Sequence, residues 1–243
     1  MIRLSILVPG LTKRIREFGN DLADELMAQT EAEPEAEVLF LLDNQRMSTG
    51  LKRRHLLAMA RGTHFAFIDD DDFPEPDYVA TLLDAIRTYP EVDVVTFDIR
   101  FTVDGTLNFI RRFWIGGPWP PGPIPGGLTG DKPSHTMCWR RELVEDIEFP
   151  DRFHGEDVAW VVEARKRLTT EINLDRVLYH YRSRNANREH ADMDTKFRLE
   201  AKDVTIAKPK PRPIAPAARV PGTLAHLSAA AERRRLLREE DRK

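Results

Sequence analysis

The run Phe67-Ile68-Asp69-Asp70-Asp71-Asp72 constrains this chain more than any other feature. Residues 64–68 form an apolar stretch that reads as a buried strand. Four adjacent carboxylates repel one another and lose solvation if buried. They belong at the exposed carboxyl end of that strand, beside a cation that neutralises them. Carboxyl ends of strands in an α/β sheet are also where ligands bind. Clustered hard oxygen donors suit Mg2+ or Mn2+, and those ions suit phosphates. Taken alone, the four aspartates also fit a plain solvated acidic turn.

The rest of the chain supplies the sheet. Residues 3–8 read as a first strand stopped by Pro9-Gly10. Residues 13–29 carry Ile15, Phe18, Leu22 and Leu26 at helical spacing. Residues 38–42 are all apolar, a strand buried on both faces as in a parallel sheet, and Asp43 ends it. A helix over 52–60, stopped by Gly62, leads to the aspartate strand. A helix over 76–88 and a strand over 92–97 follow. Strands alternating with helices predict an α/β fold with a doubly wound, mostly parallel sheet.

The second half is less regular. Residues 98–112 read as a hairpin around Asp104-Gly105. Residues 116–127 hold five prolines and five glycines, so they form a shaped loop. A short helix over 140–146, a longer one over 156–168 and a strand over 176–181 complete this half. The expected organisation is a domain over 1–205, with a regular first half (1–100) and an irregular second half (101–205). A Pro-rich linker and short basic helical tail occupy 206–243.

Charge sharpens that division. The whole chain carries −3, but residues 208–243 hold ten Lys/Arg against four Asp/Glu, which leaves the body near −9. A basic tail suits nucleic acid, an acidic polymer or a protein partner. One cysteine excludes an internal disulfide and is compatible with a reducing cytosol. No stretch approaches the ~20 apolar residues of a membrane span. The start of the chain does not read as a secretory signal. A cytoplasmic protein without membrane insertion is expected.

Several residues can carry chemistry. Asp43 and the aspartates close two strands, and neighbouring ends of parallel strands converge on one crevice. Asp43 there either contacts a nucleobase or forms the turn before Asn44. Lys52, Arg53 and Arg54 at a helix start oppose the macrodipole, which a nearby diphosphate would explain. Glu156 and Asp157 follow Gly155 at another helix start. They either cap it or supply a general base. Trp160 is an apolar wall or core. His180 either completes a metal shell or is structural. Trp114, just before the Gly/Pro-rich loop, and Trp119, within it, offer stacking faces.

The order of these motifs resembles family-2 glycosyltransferases of the GT-A fold. The resemblance runs through Leu4-Ser5-Ile6-Leu7-Val8-Pro9, the strand ending in Asp43, Lys52-Arg53-Arg54 with Ala60-Arg61-Gly62, and the aspartate strand. Gly155-Glu156-Asp157 looks like the family's "ED" motif, so the likeness covers residues 2–182. It implies a nucleotide-sugar donor, with a UDP-sugar expected, Mn2+ or Mg2+ as cofactor, a nucleotide-sugar-binding half over 1–100 and an acceptor and catalytic half over 101–205. It implies donor contacts from Pro9, Asp43, Lys52, Arg53, Asp69 and Asp70. Metal would fall to Asp71 and Asp69, with His180 as a further candidate. Asp157 would be the general base with Glu156 beside it, and the reaction would invert the anomeric centre. Trp114, Trp119 and Trp160 would contact the acceptor.

The chain departs from the family pattern after its second strand, where Asp43-Asn44-Gln45-Arg46 replaces two acids and Gly-Ser. The late Gln-x-x-Arg-Trp signature of processive members is absent. A non-processive enzyme adding one sugar is therefore expected, with its acceptor open. Hydroxymethylated DNA bases, as for a phage-type enzyme, are one alternative that the basic tail would suit. Nucleotidyl transfer, or a non-catalytic nucleotide-sugar or nucleic-acid binding module, are the others. Pro9-Gly10-Leu11-Thr12 is not the glycine-rich loop that nucleotidyl transfer normally wants.

Overall fold

The structure, a computed structural model, describes residues 1–183, apart from the side chains of residues 15–20. The expectations for the linker, the basic tail and the boundary at 205 lie outside the described residues, as do the inward faces of Ile15 and Phe18. Among the described residues no helix is long and apolar enough to cross a membrane.

The first three strands, β1 (Leu4–Leu11), β2 (Ala36–Asp43) and β3 (His64–Phe67), are parallel, with β1 in the middle. α1 (Thr12–Glu31) joins β1 to β2, and α2 (Thr49–Met59) joins β2 to β3. The two connections run in opposite directions across the sheet, so right-handed crossovers send the helices to opposite faces. Strand order reverses between β1 and β3, and a crevice opens at such a reversal, beyond the carboxyl ends.

Beyond β3 the sheet is mixed. The short β4 (Phe73–Pro74) and α3 (Tyr78–Thr88) lead to β5 (Val94–Val103), which forms the expected hairpin with β6 (Thr106–Phe113). Then come β7 (Gly122–Ile124), β8 (Leu128–Asp131), β9 (Cys138–Arg140), α4 (Arg141–Val144), α5 (Glu156–Ala164) and β10 (Glu171–Ser183). β9 lies antiparallel between β3 and β5, and β10 runs parallel to β5. Thus β1, β2, β3, β5 and β10 point the same way. β4, β7, β8 and β9 have no counterpart in the sequence reading, since two to four residues carry no periodicity.

β1 runs on through Pro9-Gly10 to Leu11, further than its proline predicts. β3 leaves β1 after Ile68, whose N–H bonds the Leu7 carbonyl at 3.0 Å. Pro9 then faces no ladder partner on that side, so its missing N–H costs nothing. Two residues on, the Leu11 N–H is met at 2.7 Å by an Asp70 carboxylate oxygen instead of a strand.

The core is aromatic beneath the site. Phe149 stacks on Trp160 at 4.8 Å, and Phe65 and Trp139 meet Trp160 edge-on. Trp160 is fully buried and its indole N–H bonds the Ile147 carbonyl at 3.1 Å. It is core, and the expectation of an acceptor wall there is corrected. α5 buries one side and Trp160 lies one turn in, on that side.

Candidate active site

The four aspartates turn as a unit at the end of β3. The Asp72 N–H bonds the Asp69 carbonyl at 3.0 Å, closing a tight turn. Asp70 is buried, its carboxylate accepting from the Leu11 N–H and from Arg14 Nη1 at 2.8 Å. Asp72 is buried too, accepting from the Tyr179 hydroxyl at 2.7 Å and the Arg182 N–H at 2.8 Å. The Arg182 guanidinium holds the Asp71 and Asp72 carbonyls. Asp70 and Asp72 therefore fix the turn, while Asp69 and Asp71 are left facing the crevice.

Arg53 links this turn to the second acidic motif. Its guanidinium meets Asp69 Oδ1 at 2.8 Å and Glu156 Oε1 at 3.3 Å, with all three groups in one partly buried cluster. The Phe67 ring lies 5.2 Å from the guanidinium carbon. Burial opposes ionisation of Asp69, yet Arg53 and His135 hold its carboxyl well below the usual range. Burial raises Glu156, although Arg53 opposes the rise.

The Glu156-Asp157 pair is delivered by backbone chemistry. Gly155 caps α5 at φ 72°, a left-handed conformation suited to glycine. The segment before it packs against the start of α2, where Gly50 donates to the Arg152 carbonyl at 3.1 Å. A Cβ on Gly50 would fall 1.8 Å from the Pro150 carbonyl oxygen, so this approach requires glycine. Asp157, 30 % exposed, faces the crevice with His135 Nδ1 3.3 Å from Oδ2. The sequence reading missed His135, because a lone histidine in a loop carries no local signal.

The other expected donor residues are placed differently from one another. Pro9 is buried near the crevice edge of β1. α2 starts at Thr49, not at Lys52, because Ser48 caps it by accepting from the Leu51 N–H at 3.1 Å. Lys52 is consequently inside the helix and buried. Its ammonium bonds the Gly10 carbonyl at 2.6 Å and Asp43 at 2.5 Å. Asp43 also accepts from the N–H groups of Gln45, Arg46 and Met47. Burial opposes its ionisation, but Lys52 and these N–H groups hold the Asp43 carboxyl below its ordinary range. Asp43 is thus a loop former whose carboxylate is already engaged.

His180 is not joined to the aspartates. Its Nε2 meets Glu75 Oε1 at 2.7 Å. Side chains alternate along a strand, and Tyr179, its neighbour on β10, is the one that reaches Asp72. Trp119 is 46 % exposed, with the Arg165 guanidinium 4.7 Å from its ring centroid. Trp114 is half-buried, and its indole covers Gly130, where a Cβ would lie 2.7 Å from it.

The donor set fits a divalent cation. Six carboxylates (Asp69 to Asp72, Glu156 and Asp157) gather around this crevice, and two guanidiniums, Arg14 and Arg53, pair with them. Burial and the Asp69 and Asp70 charges push Asp71 upward despite Arg14 at 3.1 Å. Burial, Asp69 and Asp71 push Asp72 well upward. A carboxylate surplus of hard oxygens is what Mn2+ or Mg2+ offsets. The protein side chains alone form no ready-made cage, since no group of three or more His, Cys, Asp or Glu among the described residues converges to metal-binding geometry. Mg2+-type ions on phosphate substrates are commonly held by one or two carboxylates, with the phosphates supplying the rest.

The family profile described as Glycosyl transferase family 2 matches residues 21–147. That span includes the aspartate turn and ends before the Glu156-Asp157 pair. No curated protein matches the chain. Among solved structures, S. aureus TarS 1–349 in complex with UDP is 16 % identical, with 85 % of this chain and 67 % of that chain covered, at a TM-score of 0.55. The same protein with UDP-GlcNAc gives 18 % identity, 85 % and 68 % coverage, and a TM-score of 0.51. Glucosyl-3-phosphoglycerate synthase from Mycobacterium tuberculosis, in complex with Mn2+, UDP and phosphoglyceric acid, gives 13 % identity, 85 % and 80 % coverage, and a TM-score of 0.50. At such identities the likeness is one of fold.

Proposed function

We propose a function from one premise: the chain belongs to glycosyl transferase family 2 and is a glycosyltransferase. It transfers one sugar from a nucleotide-sugar donor, a UDP-sugar in our reading, to an acceptor hydroxyl with inversion. The observation that carries this reading is the carboxylate surplus at the end of β3, facing a second acid at the start of α5. UDP and UDP-GlcNAc in the S. aureus structures, and UDP with Mn2+ in the mycobacterial one, support the choice of donor and cofactor.

Asp69 and Asp71 would hold the cation, because Asp70 and Asp72 are engaged in the turn. When bound, the cation stabilises charge developing on the departing diphosphate. Arg14, 40 % exposed above Asp70 and Asp71, adds a guanidinium for the same diphosphate. Arg53 fixes Asp69 relative to Glu156, so the donor side and the base side move as one unit. Asp157 removes the proton from the acceptor hydroxyl. Attack from the face opposite the diphosphate inverts the anomeric carbon. Lys52 and Asp43 shape the crevice edge, and Trp119 with Trp114 offers an aromatic face to the acceptor.

The test is a thermal-shift and calorimetric screen of UDP, GDP, CDP and dTDP and their sugars, with and without Mn2+. Stabilisation by uridine nucleotides that requires Mn2+ is expected. No response to any of them would end this reading. With the donor in hand, Asp157→Asn should cut diphosphate release by about 10²- to 10⁴-fold while donor affinity survives.

A further inference from the structure

His135 lies between the two halves of the acidic site and has no role in the reading above. Its Nδ1 is 3.3 Å from Asp157 Oδ2 and its Nε2 is 3.5 Å from Asp69 Oδ2, with the side chain 13 % exposed. Nε2 is buried, and both contacts are at ion-pair distance rather than aligned hydrogen bonds, the shorter one being that of Nδ1 with Asp157. Among the described residues His135 is the one side chain within ion-pair distance of Asp157.

The loop that carries His135 is gripped at successive carbonyls. Arg165 donates to the Pro133 carbonyl at 2.6 Å and the Lys132 carbonyl at 3.0 Å. The Trp139 indole N–H takes the Ser134 carbonyl at 3.0 Å, and the Met137 N–H shares that carbonyl at 3.2 Å. The Ser134 and Thr136 hydroxyls bond each other at 2.6 Å across His135. Arg165 directly follows α5, the helix whose first turn carries Asp157. One helix therefore presents the carboxylate at its start and clamps the histidine loop at its end. Such a clamp is what a side chain needs if it is to orient another.

We propose that His135 is a positioning residue that holds Oδ2 of Asp157 through Nδ1 and leaves Oδ1 free for the acceptor hydroxyl. The inference rests on Asp157 being the base. An exposed carboxylate at a helix start rotates freely, and a base must point a lone pair at its proton. Nε2 faces the other acid, Asp69, at 3.5 Å, so the two ring nitrogens address different carboxylates.

Two amides separate the two ring nitrogens. An asparagine places its N–H2 near the position of Nδ1, and a glutamine places it near Nε2. The experiment compares His135→Asn, His135→Gln and His135→Ala in the full chain. It reads UDP release from a UDP-sugar that the wild type turns over, UDP affinity with Mn2+ by calorimetry, and thermal unfolding. In the expected result Gln and Ala lose about 100-fold in kcat, Asn stays within about threefold, and UDP affinity stays within about twofold throughout. Equal loss in Asn and Gln, or full activity in all three, would overturn the proposal, as would a loss that merely tracks the unfolding temperature. A wild type that turns over no donor would refute the base itself and this inference with it. An active wild type with indifferent variants would refute the inference alone.

Discussion

The two ends of the parallel strands differ in how completely their acids are partnered. At the amino end, Glu37 accepts from the Ser5 hydroxyl at 2.8 Å, the Arg61 N–H at 2.8 Å and Arg61 Nε at 2.7 Å. Glu35 there is shared between Arg3 and Arg87, each at 2.6 Å. Burial opposes ionisation of Glu37, and the Arg61 and Ser5 bonds still bring its carboxyl below the ordinary range. Glu35 is lowered by the Arg3 and Arg87 bonds. At the carboxyl end the acids divide: Arg53 lowers Asp69 and Lys52 lowers Asp43 against their burial, while Asp71, Asp72 and Glu156 are raised, foremost by burial. Glu35 and Glu37, away from the crevice, have matched partners. Acids that face the crevice outnumber theirs, and this surplus is what a cation or a substrate relieves.

Three substitutions can break or sharpen the contrast. The largest effect belongs to Arg53→Ala, which leaves buried Glu156 and half-buried Asp69 without their shared cation and should cost about 3–5 kcal/mol. Urea unfolding measures it, and a loss below about 1 kcal/mol would mean that the crevice acids do not depend on Arg53. Glu37→Gln comes next. It loses charge-assisted bonds worth about 2 kcal/mol at neutral pH. A lowered carboxyl stabilises the fold above its unfolded pKa and loses that stabilisation as pH falls through its folded one. The gap between variant and wild type should therefore close as pH drops below about 4.3. A gap that is flat with pH would contradict the paired state of Glu37.

Asp71→Asn should have the smallest effect on the bare protein, and one of opposite sign. Its carboxyl is raised, so removing the charge stabilises, by less than about 1 kcal/mol given that the side chain is 37 % exposed and screened. The same variant should lose the Mn2+-dependent part of nucleotide binding. Destabilisation without metal, or undiminished Mn2+ dependence, would place the cation elsewhere.

Much of the parallel half was legible in the chain itself. The apolar runs before Asp43 and Asp69 became β2 and β3, and the Asp104-Gly105 turn became the β5–β6 hairpin. Ser48, three residues before Leu51, was a readable helix start that the basic run at Lys52 obscured. Trp160 and His180 were ambiguous because a single residue type does not say which way its strand or helix faces. Tyr179, rather than His180, turns toward Asp72 through the alternation of β10.

Sequence by itself determined that four carboxylates follow a buried strand and that two more begin a helix. Those are properties of neighbouring residues, but they do not say which acids stay in water: Asp70, Asp72 and Glu156 are buried. Only the tertiary structure decided which charges meet. Arg14 reaches Asp70 from 56 positions away, and Tyr179 reaches Asp72 from 107. His135 comes between Asp69 and Asp157 because Arg165 and Trp139 clamp its loop against α5 and β9. An ion pair depends on distance in space, and the packing of the sheet and its helices sets that distance.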